Sequence, residues 1–310
     1  MLKSVGELEK IRKRILATDY LTVAQLFLQD NFLLERKLTF DDVKPRLLGH
    51  WGSCHGINVA LANLVNFFGG DENFSFILGP GHGFPALNAN LFVDGKLEEK
   101  NLGEFCRKFS WPGGFPSHSS PMTPGVVTEG GELGYALGVA FGQVLGHPEK
   151  TVAVLLGDGE METATALASM NLCKLIAGEE NGKVLPILHL NGYKISGPTI
   201  LGRKSERELH ELIRGFGYEP IEIKNDRPEE FLAALERAET EKHPFLVLRT
   251  EKGAGGPKFL DGKKVAGNFL AHQIPLPLAK SDPEQLEILE SWLKSYHFRE
   301  VYDEEKGLLI

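Results

Sequence analysis

Two residues in this sequence have the types and positions to do chemistry together, Asp158 and Asn191. Asp158 follows an apolar run, Thr151 to Leu156, and sits inside Gly157-Asp158-Gly159-Glu160. Asn191 follows a second apolar run, Val184 to Leu190, and opens Asn191-Gly192-Tyr193. The pattern reads as a strand, a crossover helix and a second strand. Parallel strands joined by such a crossover end at the same sheet edge, which sets the carboxylate beside the amide. A carboxylate, an amide oxygen and a nearby backbone carbonyl form a hard-oxygen set, and Mg²⁺ takes such a set when phosphate oxygens and water complete its shell. The pair reads as half of a cage for a metal-bound diphosphate. Plainer readings exist: Asp in a Gly-Asp-Gly turn can cap the next helix, and Asn-Gly is a common turn. The placement of both at the ends of apolar strands favours the metal.

His50, His82, His118 and His272 form a second group, each in an irregular stretch rich in Gly or Pro. Imidazole is the side chain best matched to proton transfer near neutral pH. His147, His210, His243 and His297 lie at helix ends or turns with no motif around them and read as structural or surface residues. Gly79-Pro80-Gly81-His82-Gly83 follows a strand, but Pro80 interrupts the turn and Phe84 stands where the dinucleotide fingerprint needs its third Gly. No P-loop pattern occurs, and the Cys54-His55 dipeptide alone is not a zinc site.

The elements that must carry these residues follow from periodicity. Leu2, Val5, Leu8, Ile11 and Ile15 predict a helix over 2–16, and a second helix is expected over 19–33. Residues 37–54 read as irregular, 57–67 as a helix and Phe74 to Leu78 as a strand. Residues 94–128 read as a long functional loop. A helix-like segment opens at Glu129-Gly130-Gly131-Glu132 and carries Gly134, Gly138 and Gly142, where close packing against a sheet or cofactor would explain the cost of helical Gly. After Tyr193 come a helix (205–215), a strand (218–223), a helix (227–240) and a strand (244–249). Residues 251–279 are irregular, and a last helix spans about 282–295. This alternation predicts an α/β fold, a parallel β-sheet flanked by helices on both faces. The expected organisation is one domain over 1–280, with residues 1–36 as a helical extension and 281–310 as a C-terminal helix and tail.

Composition agrees. The 310 residues are 42% hydrophobic and 25% charged, with a net charge of −8, and an acidic chain without a basic block argues against nucleic acid as a partner. Cys54, Cys106 and Cys173 are far apart and fit a reducing compartment. No signal-peptide core is present at the start, and no apolar run approaches the ~20 residues that span a bilayer, so a cytoplasmic location without membrane attachment is expected.

Several motifs then match a known family. Leu47-Leu48-Gly49-His50-Trp51-Gly52, Gly79 to Gly83, Phe109 to His118, Glu129 to Leu137, Gly157 to Glu160 and Leu185 to Lys194 resemble the N-terminal domain of phosphoketolases, as do Lys252-Gly253, Gly256 to Phe259, Asp261 to Lys264 and Ala271-His272-Gln273. The resemblance runs from about residue 37 to 308. Phosphoketolases are thiamine diphosphate enzymes related to transketolase. They split xylulose 5-phosphate, and often fructose 6-phosphate, with inorganic phosphate, giving acetyl phosphate and a shortened aldose phosphate. The resemblance implies a thiamine diphosphate-binding fold. It implies that Asp158, Asn191 and the Tyr193 carbonyl hold Mg²⁺, and that Ser53, Gly131, Glu132, Leu133, Gly157, Gly159, Glu160 and Lys194 lie along the cofactor. His50, His82, His118, Lys252 and His272 would face the thiazolium and the substrate.

The chain departs from the family in two places. Cys54-His55 stands where the family carries Ser/Thr-Pro after its Trp-Gly-Thr/Ser motif. The family also continues well past the position matching Ile310, into a pyrimidine-binding domain. The resemblance therefore implies a diphosphate-binding subunit or fragment, with a separate chain supplying the pyrimidine-binding domain in a homo- or hetero-oligomer. A subunit of a split transketolase-like enzyme and a non-catalytic cofactor-binding homologue are the alternatives.

Overall fold

In the computed structural model, residues 5–176 and 178–309 are described. They divide into two compact units, each assembled from separate stretches of chain. The first lies within Met1–Ala62, His82–His118 and Lys252–Ile310, and the second within Asn63–Gly81 and Ser119–Glu251.

The first unit is helical. Helix α1 (Val5–Phe27) is followed by α2, which begins here (Cys54–Phe68), α3 (Phe84–Val93), α4 (Leu102–Lys108) and, near the other end of the chain, α10 (Pro283–Lys294) and α11 (Phe298–Val301). The sequence predicts two helices before residue 34, but one helix forms. No Gly or Pro interrupts 7–27, and Ala17, Thr18 and Asp19 at the expected break are all buried, so packing carries the helix through. The expected loop over 94–128 also contains a helix, α4, whose N-cap Asn101 accepts from the Glu104 N–H. Aromatic packing joins the ends of the unit: Tyr20 stacks on Phe298 at 4.1 Å, and Trp51 meets Trp292 edge to face at 4.9 Å. Leu2 of the predicted first helix lies outside the described residues.

The second unit is built on a parallel sheet of five strands, β1 (Phe74–Leu78), β2 (Thr151–Gly157), β3 (Lys183–Leu190), β4 (Glu219–Ile223) and β5 (Pro244–Arg249), in the order β1-β2-β3-β5-β4. The interiors of β2, β3 and β5 are buried at consecutive positions, as expected of strands covered on both faces. Helices α5 (Ala136–Val144), α6 (Ala164–Ser169), α7 (Leu172–Leu175), α8 (Glu206–Phe216) and α9 (Pro228–Thr240) flank the sheet. Leu137, Ala140, Phe141, Ala166, Leu209 and Ile213 pack with Val152, Val154, Leu188 and Val247 in one core. The helix expected from 129 starts only at Ala136, because Gly134 holds φ +95°. Gly157 pairs with His189 across β2 and β3, so Asp158 and Asn191 leave the sheet at one edge, as expected. No described helix is long and apolar enough to cross a membrane.

Candidate functional site

Four imidazoles gather in the first unit. His50 is at the centre, its ring centroid 5.2 Å from His82, 5.3 Å from His118 and 5.2 Å from His272, while His82 and His272 are 4.7 Å apart. They come from four separate segments: the turn before α2, the short 3₁₀ turn before α3, the loop after α4, and the 3₁₀ turn ending at Ala271. Close backbone approach makes the assembly possible. A Cβ on Gly52 would sit 2.7 Å from both the Ala271 oxygen and the Lys252 side chain, and the Gly52 carbonyl accepts from the Gly253 N–H at 2.8 Å. Trp51 Nε1 donates to the Gly253 carbonyl at 3.3 Å, binding the His50 turn to the Lys252 loop. Lys252, 2% exposed, reaches Ser53 Oγ at 3.3 Å.

Three nitrogens of this cluster, His50 Nδ1, His82 Nε2 and His272 Nδ1, are shielded from solvent and lack a hydrogen-bond partner. Buried polar atoms are almost always satisfied, so a ligand or ordered water belongs among them. Burial first, then His118 and Lys252, pulls the His50 pKa down to about 4. Burial, then Lys252 and His50, pulls His272 to about 3. His82 is held well below the ordinary value by burial, then by His272, Lys252, His50 and His118. All three rings are therefore neutral at pH 7, each with one nitrogen that accepts a proton and one that donates. A metal cage is the competing use of clustered imidazoles. Among the described residues, however, the ligand atoms that converge as a set are those of Glu206, His210 and Glu222. That group is already occupied by ion pairs, since Arg249 donates to both Glu222 oxygens at 2.8 and 3.0 Å and Lys224 pairs with Glu206.

The second constellation lies in the second unit, at the carboxyl edge of the sheet. Asp158 is 2% exposed. Its Oδ2 accepts from the Gly192 N–H at 2.7 Å and Thr199 Oγ1 at 3.1 Å, its Oδ1 from the Gly159 N–H at 3.0 Å, and its own N–H donates to the His189 carbonyl. The β2 turn is thus bonded directly to the β3 turn. Asn191 Oδ1 accepts from the Tyr193 N–H at 3.2 Å, closing an Asx turn that aims the amide. Lys194 pairs with Glu162, whose other oxygen accepts from the Ile200 N–H at 2.6 Å. Glu160 turns inward: its oxygens accept from the Gly134 and Gly157 N–H groups at 3.2 and 3.1 Å, and burial raises its pKa to about 7. Gly131, Glu132 and Leu133 are exposed. The structure brings together Asp158, Gly159 and Gly192 around one carboxylate, and gathers His50, His82, His118, His272, Lys252 and Ser53 in the other group.

Thr199 and Glu162 were not among the residues singled out by sequence. Thr199 follows Gly197-Pro198, a turn signal that marks the loop but not its hydrogen bond to Asp158. Glu162 is one of several acidic residues near Asp158 and has no spacing that distinguishes it.

Residues 3–309 match the family described as "XFP N-terminal domain". A protein of Rhodopseudomonas palustris (strain BisB5) described as "Probable phosphoketolase" is 43% identical over 318 residues, covering 93% of this chain and 40% of that protein. One of the same description from Nitrosomonas europaea is 40% identical over 334 residues, covering 98% and 42%. The chain thus spans about two fifths of the length of these relatives. Among solved structures, transketolase from Campylobacter jejuni superposes with a TM-score of 0.67 at 19% identity, over 94% of this chain and 43% of that one, and transketolase from Leishmania mexicana with 0.63 at 20%, over 96% and 46%. These likenesses establish the fold. With the family match over nearly its whole length, the chain belongs to the phosphoketolase family, as a representative of its N-terminal domain.

Proposed function

We propose that this chain is the diphosphate-binding portion of a phosphoketolase-type enzyme that cleaves xylulose 5-phosphate, fructose 6-phosphate or both, with inorganic phosphate, to acetyl phosphate and an aldose phosphate. The observation that carries the reading is the cluster of neutral imidazoles with three unpartnered, shielded nitrogens. Binding alone does not call for several proton-transfer groups held neutral at pH 7; cleavage of a polyhydroxy substrate does.

The donor chemistry of the second unit fits the diphosphate end of thiamine diphosphate. Asp158 and Asn191 are buried oxygen donors on strand ends that are bonded to one another, and with the Tyr193 carbonyl they would hold Mg²⁺, which prefers such ligands together with phosphate oxygens. Gly131, Glu132, Leu133, Gly157, Gly159 and Lys194 would lie along the cofactor, with Ser53 near it. When bound, thiamine diphosphate supplies the nucleophilic carbon and the electron sink for carbon–carbon cleavage. In the first unit, His50, His82 and His272 would take protons from substrate hydroxyls and return them, with His118 contacting the sugar. The Lys252 ammonium, steadied by Ser53, would stabilise negative charge as it develops.

The remaining assignments belong to the same proposal: a separate chain carrying the pyrimidine-binding domain, assembly into a homo- or hetero-oligomer, residues 281–310 as the approach to that domain, and a cytoplasmic location. Product analysis on the assembled enzyme tests the reaction. Acetyl phosphate from xylulose 5-phosphate and phosphate supports it, whereas a lengthened sugar formed with an aldose acceptor assigns the chain to a transketolase-like enzyme.

A further inference from the structure

The Cys54-His55 dipeptide, which departs from the family pattern, takes no part in the roles above. We propose that Cys54 and His55 are positioning residues that lock the His50 turn into the imidazole cluster, Cys54 through the His50 carbonyl and His55 through Asp19. The proposal rests on the reading of that cluster as the proton-transfer centre.

The contacts are direct. Cys54 Sγ donates to the His50 carbonyl at 3.0 Å, across the turn that places the His50 ring. The thiol is fully buried, and burial drives its pKa far up, with the Ala86 N–H and Lys252 opposing only in part. It therefore keeps its proton and remains a donor at any physiological pH, which a thiolate could not. One residue on, His55 Nδ1 lies 2.7 Å from Asp19 Oδ2. The other Asp19 oxygen accepts from Asn58 Nδ2 at 2.7 Å, so both oxygens of a carboxylate only 2% exposed hold the first turns of α2 onto α1. Asn58 in turn accepts from Asn90 Nδ2, and Asn90 from Arg14. This buried chain leads from the largely buried pair Arg14–Asp94 to the turn that ends at His50. His55 also borders the loop carrying Lys252, since a Cβ on Gly255 would come 3.7 Å from its Nδ1 and 3.2 Å from Tyr296 Oη. A side chain at position 55 without a hydrogen-bonding group could not pair with Asp19, and the buried carboxylate would then have one partner fewer.

The test uses the full chain. The charged and titratable groups around His50 are His82, His118, His272 and Lys252, with Cys54 behind it. Nuclear magnetic resonance titration of the His50 ring reports how tightly that environment is held, which a purely structural contribution to folding would not move. In the wild-type chain His50 is expected to protonate at about pH 4. Cys54→Ala should raise this by roughly one unit or more as water enters and burial weakens, while Cys54→Ser, which retains a donor, should leave it near the wild-type value. His55→Phe should raise it likewise, and His55→Gln, which can still donate to Asp19, should restore it. If both Cys54→Ala and His55→Phe fold and leave the His50 titration unchanged, or if the two conservative variants shift it as far as the disruptive ones, the positioning role is overturned. A wild-type His50 that titrates at its ordinary value would instead overturn the cluster on which the proposal rests, and the proposal with it.

Discussion

Burial and neighbouring charge hold His50, His82 and His272 neutral at pH 7. Burial disfavours protonation of His50, His82 and His272, and Lys252 supplies a fixed positive charge that disfavours it further. The stability consequence has a definite sign. His50 and His272 have folded-state values of about 4 and 3 against 6.5 for an unperturbed ring, so below pH 6.5 the unfolded chain binds protons that the folded chain refuses. Stability therefore falls as the pH is lowered from 6.5 towards 4, by up to about 1.4 kcal/mol per pH unit for each such imidazole. Glu160 acts in the opposite direction: its value is raised to about 7, so its contribution is complete below the ordinary carboxylate range and is lost as pH rises through 7. Denaturant unfolding followed between pH 4 and 7 should show a net loss towards acid, and His82→Ala should flatten that slope. A slope unchanged by His82→Ala would contradict the burial argument. In the assembled enzyme, His82→Ala should spare cofactor binding and lower turnover, since no metal ligand is removed.

The elements that position these residues were legible where one physical signal dominated. Helix α8 has its apolar residues on one face, a capping box in which Ser205 and Glu208 satisfy each other's N–H groups, and Gly217 at φ +100° as its C-cap. Its predicted limits agree with the observed ones to within about a residue. Ser205→Ala should cost about 1 kcal/mol in chemical denaturation without altering the imidazole cluster. Strand β5 was equally clear from its unbroken apolar run, and Leu246→Ala at its fully buried centre should cost roughly 2–5 kcal/mol. Helix α1 was misread as two helices because burial of its polar residues, Thr18, Asp19, Thr22 and Gln25, is a tertiary outcome with no local signature. Helix α4 was missed because seven residues between Gly- and Pro-rich stretches show too little periodicity. At the site, the strand-end pair Asp158 and Asn191 could be read from pattern. The four histidines could be named, but their convergence could not, because it depends on contacts such as Gly52 against Ala271 between residues far apart in sequence. Gly52→Ala should loosen that contact and raise the pH at which His272 protonates, with little change in helical content by circular dichroism.

At the scale of the whole chain, two compact units carry different chemistry. The first holds clustered imidazoles and a buried lysine; the second holds a sheet edge furnished with hard oxygen donors. The chain corresponds to about two fifths of the length of its relatives. The most direct test of the central claim is calorimetric titration of the full chain with thiamine diphosphate, with and without Mg²⁺, for the wild type and Asp158→Ala. The account predicts saturable binding that requires Mg²⁺ and is lost in Asp158→Ala, with the variant's circular dichroism spectrum preserved. Binding indifferent to Mg²⁺, or binding that Asp158→Ala leaves intact, would contradict it.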